Sequence, residues 1–384
     1  MSARILVLTA GFGEGHNAAA RALAAAFDAA HGPDTAQVVD AFALASPRWN
    51  AAVRRAYLEL ISRAPRVWSG VYQWLDRSPA AARLMRLLRR ERRVLARILA
   101  DGNYAAVCST YPVYAFMLAD LWREGRARLP CFSVVTDSIS INSLWWRAGA
   151  DGWFLPNEDS ADILRAAGVP EERLHVSGFP VAPFFSRHTG QLRPPEIERE
   201  GRARVLYIIN SGVPRAAETA RRLLRETSWD ITCTVGRQER LRQELVRLAE
   251  ARRFPTQILG WTPEIPRLLM THHVVISKAG GATTQEAIAA RCPMIVNQIV
   301  PGQEEGNYEL LRRHGIGALA ETPEAVVAEL TRAFAGGGHV WRQWRQALEP
   351  LARPDAARDI AEMISHAALT GRDSFSGRGA TVSA

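Results

Sequence analysis

A short, unbroken apolar strand that runs into a small-residue turn and then a helix occurs twice in this chain, and it constrains the fold more than any other feature. Residues 5–9 (Ile-Leu-Val-Leu-Thr) lead into Gly11-Phe-Gly-Glu-Gly15 and an Ala-rich helix expected over residues 17–30. Residues 205–209 (Val-Leu-Tyr-Ile-Ile) lead into Asn210, Ser211 and Gly212 and a helix from about Ala216. Apolar residues without alternation suit a parallel strand covered on both faces. Similar runs follow the first unit at 106–109, 131–135, 151–156 and 175–179, and the second at 230–235, 256–259, 274–277 and 294–297. Strands alternating with helices predict an α/β chain with parallel sheets. Between 183 and 204 the pattern breaks at Pro194-Pro195 and a cluster of charges. The expectation is a first domain over 1–190, a second over 202–368, and a disordered Gly/Ser-rich tail over 369–384.

Charge narrows the partners. The formal net charge is +9 over 384 residues, nearly all of it from arginine, because Lys278 is the only lysine. Such a balance favours nucleotide phosphates, acidic lipid head groups or nucleic acid. No recognised nucleic-acid motif occurs, so that partner is set aside. Cys108, Cys131, Cys233 and Cys292 are scattered, with no paired spacing that would hold zinc. They read as reduced core thiols of a cytoplasmic protein, with no metal and no cofactor expected. The apolar run at 5–10 is too short for a signal peptide, and no stretch is long enough to span a bilayer. Membrane contact is therefore expected to be peripheral. Its candidate is the aromatic segment carrying Trp49, Tyr57, Trp68, Tyr72 and Trp74, followed by an Arg-rich helix over 83–99. There Leu84, Leu87, Leu88, Leu95 and Ile98 share one face. That face can lie on an anionic membrane or pack on the first domain's core.

Two stretches carry chemistry. In Ser277-Lys-Ala-Gly-Gly-Ala-Thr-Thr-Gln-Glu286 a strand ends, two glycines follow and a helix begins near Thr283. Gly280 and Gly281 let a phosphate approach unpaired helix N–H groups, Thr283 and Thr284 offer hydroxyls, and Glu286 offers a carboxylate to a ribose. The same residues also read as a capping box, with Thr283 as cap and Glu286 three residues on. Past the strand at 294–300, Pro301-Gly-Gln-Glu-Glu-Gly-Asn307 places Gln303 and Glu304 where open α/β sheets bind ligands, with acceptors suited to sugar hydroxyls.

These blocks, with Gly260-Trp261 before them, resemble the donor domain of the family of bacterial processive diacylglycerol glucosyltransferases and plant monogalactosyldiacylglycerol synthases. The N-terminal half agrees. Gly11-Phe-Gly-Glu-Gly-His16 is similar to the family's glycine–histidine turn. Thr136-Asp137, Trp145, 154–158 and 177–181 match its middle block in order. The resemblance implies a GT-B fold, two Rossmann-like domains facing each other across a cleft. It implies an inverting hexosyltransferase that moves a sugar from UDP to a diacylglycerol-like lipid at the cytoplasmic face of the cell membrane. In it Gly280 and Gly281 receive the diphosphate, Glu286 holds the ribose, and Gln303 and Glu304 hold the sugar, with Asn307 beside them. Trp261 to Ile265 lie by the uracil, and Gly236 and Arg237 near the phosphates; Ser211 and Gly212 are counted with the donor site. His16 is the expected base, with Asp137 orienting it or acting itself, and Gly13 and Gly15 shape the turn. One departure concerns the acceptor: the family's histidine between the Asp and the Trp is absent, and Asn142 stands nearest. Weighed beside this reading are the same donor chemistry on a polyprenyl lipid or small polar acceptor, and a non-catalytic nucleotide-sugar or lipid-binding protein of the same fold.

Overall fold

The computed structural model describes residues 4–63, 67, 70, 74, 76, 78, 84–85, 87–197, 202–210, 215–302 and 304–370. Ser211, Gly212, Gln303 and the tail from 371 onward lie outside them. The chain forms two compact units, Met1–Pro183 with Asp355–Ala384, and Phe184–Pro354.

The first unit is built on a parallel sheet of β1 (Arg4–Leu8), β2 (Ala36–Val39), β3 (Tyr104–Ser109), β4 (Cys131–Val134), β5 (Gly152–Leu155) and β6 (Leu174–Val176), in the order β2-β1-β3-β4-β5-β6. The apolar run of β1 serves both faces. Ile5 and Val7 pack with Leu23 and Phe27 of the helix Glu14–His31, while Leu6 and Leu8 pack with Leu95, Tyr114 and Leu118 on the other side. Leu8 of β1 pairs with Ser109 of β3, and Ser109 with Ser133 of β4. The ends of these strands are thus level, and the segments leaving them emerge at one rim.

The second unit repeats the plan with β7 (Arg204–Ile208), β8 (Asp230–Thr234), β9 (Thr256–Leu259), β10 (Val274–Lys278), β11 (Met294–Gln298) and β12 (Gly317–Leu319), all parallel, in the order β12-β11-β10-β7-β8-β9. Each sheet has a point where the strand order reverses, between β1 and β3 in the first and between β7 and β10 in the second. Crevices outside the carboxyl ends at such points are where open sheets take ligands.

Several expectations need correction. The second domain does not run to 368. The helix Ala356–Thr370 belongs to the first unit, where Ile360, Ile364 and Ala367 pack with Leu23 and Phe27. The first unit's initial segment correspondingly ends at Pro183 rather than 190. The same helix reaches Thr370, so residues 369 and 370 are not part of a disordered tail. The first helix begins at Glu14, which puts His16 in its opening turn. The Arg-rich helix expected over 83–99 runs Arg89–Asp101, after a break at Leu87-Leu88. Leu95 is fully buried in the first unit's core, with Val94, Ile98 and Leu99 against the same cluster, so that face is taken by protein. No helix among the described residues is long and apolar enough to cross a membrane.

Two adjacent histidines stitch the second unit together in their neutral forms. His272 Nδ1 lies 2.7 Å from the Leu268 carbonyl and its Nε2 2.9 Å from the Thr232 hydroxyl. His273 Nδ1 accepts from the Arg204 N–H at 2.8 Å and Nε2 donates to the Pro195 carbonyl at 2.9 Å. Burial pushes both down to about 4. Below the usual histidine value of about 6.5 the unfolded chain then binds more protons than the folded one, so stability falls on acidification towards pH 4. Each contributes roughly 3 kcal/mol across that window. Urea unfolding at pH 7 and pH 5 should show a loss of a few kcal/mol at the lower pH; equal stabilities would refute this account of the pair.

Candidate functional site

The first unit's site gathers on His16. After β1 the chain turns through Gly11, whose N–H donates to Asp40 at 3.0 Å, and enters the helix at Glu14. Gly13 precedes it in extended backbone that any residue could adopt, so the turn does not owe its glycines to left-handed geometry. His16 is 8% exposed. Its Nδ1 lies 2.7 Å from the Thr110 carbonyl, just past β3, and 2.8 Å from the Thr136 hydroxyl, just past β4. A carbonyl can only accept, so Nδ1 carries the proton and Nε2 keeps the lone pair. Thr110 also donates its hydroxyl to the His16 carbonyl at 3.0 Å. The ring is thus fixed across the point where the sheet order reverses.

Electrostatics keep this imidazole neutral. Burial holds its pKa below the ordinary value, against the opposing pull of Asp137 and of the Thr110 hydrogen bond. Burial likewise raises Asp137, opposed by His16 and by the Trp145 indole. That indole donates to Asp137 Oδ2 at 2.8 Å. Trp145 rides on the short helix Leu144–Arg147, which Asn142 begins by accepting the Leu144 N–H at 3.1 Å.

The second unit's site gathers on the turn after β10. The helix Gly281–Ala289 has Gly280 as its cap, a residue with no side chain to offer its first N–H groups. Asn307 donates to the Ala279 carbonyl at 2.9 Å and so holds the turn. Lys278 and Glu304 form an ion pair beside it, and Glu304 Oε2 also accepts the Val300 N–H at 3.1 Å. Gly236 and Gly260, at the ends of β8 and β9, approach closely: a Cβ on Gly260 would lie 3.5 Å from the Gly236 carbonyl. Trp261 follows with 71% of its surface exposed.

Known proteins resemble this chain in sequence and in fold. The sequence profile of the monogalactosyldiacylglycerol (MGDG) synthase family matches residues 16–181. A processive diacylglycerol beta-glucosyltransferase of Bacillus cytotoxicus is 23% identical over 365 residues, covering 94% of this chain and 93% of its own length. Among solved structures, MurG of Acinetobacter baumannii superposes with a TM-score of 0.56 at 15% identity, over 94% of this chain and 99% of its own. UDP-GlcNAc 2-epimerase of Neisseria meningitidis does so at 0.57 and 13%, over 94% and 99%. These two likenesses establish the fold. The chain has the GT-B fold, and its sequence is similar to the diacylglycerol glycosyltransferases.

Within this GT-B hexosyltransferase the expected site residues are sorted by their surroundings. His16 stands at a convergence of three strand ends, but Asp137 does not orient it; the Thr110 carbonyl and the Thr136 hydroxyl do, and Asp137 is bonded to Trp145 instead. Gly15 is part of the first helical turn. The capping-box reading fails, because the helix starts at Gly281 and Thr283 is already inside it. Thr284 is fully buried with its hydroxyl 3.8 Å from the Met294 sulfur, so it is a core residue and offers no donor to a ligand. Thr283 and Glu286 are partly exposed on that helix, Ile265 opens the next helix back, and Arg237 is exposed. Glu304 is brought to the glycine turn but is bonded inward to Lys278 and Val300. Thr110, Asp40 and Lys278 were not foreseen as site residues. The solitary lysine was the one signal in the sequence that could have singled out the last.

The Asp137–Trp145 contact is open to test. Trp145→Phe removes both a buried volume and an indole donor to a carboxylate that burial already disfavours, and should cost about 2–4 kcal/mol. Asp137→Asn keeps an acceptor for the indole and should cost about 1 kcal/mol or less. Urea unfolding of the two variants checks the order, and a reversed order would remove Trp145 as the support of Asp137.

Proposed function

We propose that the protein transfers a hexose from a UDP-sugar to a diacylglycerol-like lipid, with inversion at the anomeric carbon, at the cytoplasmic face of a membrane and without a metal. The observation that carries this reading is the locked His16 imidazole, a neutral base with a single available lone pair. The similarity to a processive diacylglycerol beta-glucosyltransferase supports the acceptor class. In the proposed step the acceptor hydroxyl gives its proton to His16 Nε2 as its oxygen bonds to the anomeric carbon. The bond from that carbon to the diphosphate breaks, and UDP leaves with the electron pair. A single displacement of this kind inverts the centre. The growing imidazolium is favoured by the nearby Asp137 carboxylate. In the second unit, the helix start at Gly281 suits the charge of a diphosphate.

His16→Ala should lower transfer about a hundredfold or more, the scale of a lost general base, with UDP affinity nearly unchanged. Because the folded pKa of His16 is depressed, the base form persists below pH 6.5 and the rate should fall only at lower pH. Asp137→Asn removes a group that raises this pKa, so it should move the acid limb further down while slowing the plateau less than His16→Ala does. Purified protein incubated with UDP-sugars and a diacylglycerol-containing lipid extract, with products read by mass, measures all three. Near-normal turnover by His16→Ala would transfer the base role elsewhere.

The membrane part of the proposal rests on the segment before β3. Among the described residues, Trp49, Val67, Trp74, Leu84 and Leu87 are large apolar side chains left exposed. Arg89, Arg90, Arg93 and Arg97 are exposed along the following helix. This surface differs from the amphipathic helix expected over 83–99, since its apolar part precedes the helix. Binding to anionic vesicles should weaken as salt rises, and replacing Arg89, Arg90 and Arg93 by Gln should reduce it while the fold survives. Co-sedimentation is the measurement; equal binding to neutral vesicles would count against an electrostatic anchor.

A further inference from the structure

We propose that Lys278 is a shared cation: it pairs with Glu304 while the donor site is empty and turns to the donor's diphosphate on binding, which frees Glu304 to accept a sugar hydroxyl. The inference rests on reading this unit as the UDP-sugar site. It makes sugar recognition conditional on a diphosphate.

The geometry is specific. Lys278 ends β10, and the pairing of β10 with β11 slips between Ser277 and Lys278, so that Lys278 faces Gln298 and Asn297 is passed over. Bulges of this kind re-aim a side chain at the end of a ladder. The re-aimed ammonium lies at the glycine turn: a Cβ built on Gly280 would be 3.5 Å from Lys278 Nζ and 3.8 Å from Glu304 Oε1. The two partners differ in freedom. The Glu304 side chain is 7% exposed and its second oxygen is held by the Val300 N–H, whereas the Lys278 side chain is 30% exposed. The lysine can therefore swing and the carboxylate cannot. A second polar group at this turn is also left waiting. Asn307, 4% exposed, spends its amide N–H on the Ala279 carbonyl, and its buried Oδ1 has no partner among the described residues. Elsewhere the chain uses arginine for its fixed positive side chains. A flexible point charge at this one position suits exchange between two anions better than a planar guanidinium does.

UDP is the probe, and its affinity is read by thermal shift or calorimetry in four proteins. Lys278→Met should bind UDP at least tenfold more weakly. Glu304→Gln should bind it several-fold more tightly, because nothing then competes for the ammonium. Leaving Glu304 as a buried unpaired charge would by itself weaken the Lys278→Met protein, and the double variant Lys278→Met/Glu304→Gln removes that objection. It should remain as weak a UDP binder as the lysine variant. Because the chain has one lysine, amine-directed acetylation read at the peptide containing residue 278 reports the ammonium directly, and UDP should slow it in the wild type. A double variant that binds UDP like wild type would reduce Lys278 to a neutraliser of Glu304 and overturn the proposal. So would a Glu304→Gln protein that binds UDP no more tightly, or an acetylation rate indifferent to UDP. A wild-type protein that UDP does not bind would overturn the donor reading itself.

Discussion

Parallel pairing is the constraint on which the rest of this structure depends. In a parallel sheet every strand points the same way, so every carboxyl end arrives at one rim and every helix must cross back over a face. In the first unit this brings the ends of β1, β3 and β4 together, and the three segments that leave them supply His16, Thr110 and Thr136. In the second it brings the ends of β7 and β10 together, where Asn210 donates to the Ser277 hydroxyl at 2.9 Å below the glycine turn. Neither group of residues is close in sequence.

The first unit's chemistry follows from burying two titratable groups near each other. Desolvation drives both His16 and Asp137 towards their uncharged forms, and their mutual attraction resists it. The balance is a neutral base beside a carboxylate whose hydrogen bond goes to an indole. A proton placed on His16 Nε2 would thus be stabilised through space, not through a hydrogen bond that competes for the ring. The second unit works with charges that stay exposed or paired. Its helix start at Gly281 and the Lys278 ammonium are both positive features at the same turn.

Much of this was legible because it depends on local rules. The runs at 5–9 and 205–209 are apolar without alternation, which only a doubly covered strand tolerates, and each is followed by a turn and a helix. The glycine turn at 280–281 and the His16 turn could be recognised as strand-end features for the same reason. Short edge strands such as β2 and β12 were not, since Ala36–Val39 and Gly317–Leu319 carry too few apolar residues to stand out. The arginine-rich helix was read correctly as amphipathic, but periodicity says only that a face must be covered. Leu95 shows that protein covers it.

By itself, then, the sequence determined two α/β units, their parallel strands, the order of the turns and the residue types available at each strand end, because propensity, periodicity and glycine placement act over a few residues. Only the tertiary structure decided which partner each polar group takes. The helix Ala356–Thr370 returns to the first unit because Ile360 and Ile364 complete a core more than three hundred residues away from them in the chain, around Leu23 and Phe27. Thr110 rather than Asp137 fixes His16, Thr284 turns into the core, and Lys278 meets Glu304. Hydrogen bonds and ion pairs depend on distances of about 3 Å, and those distances are set by how strands from remote parts of the chain come to lie side by side.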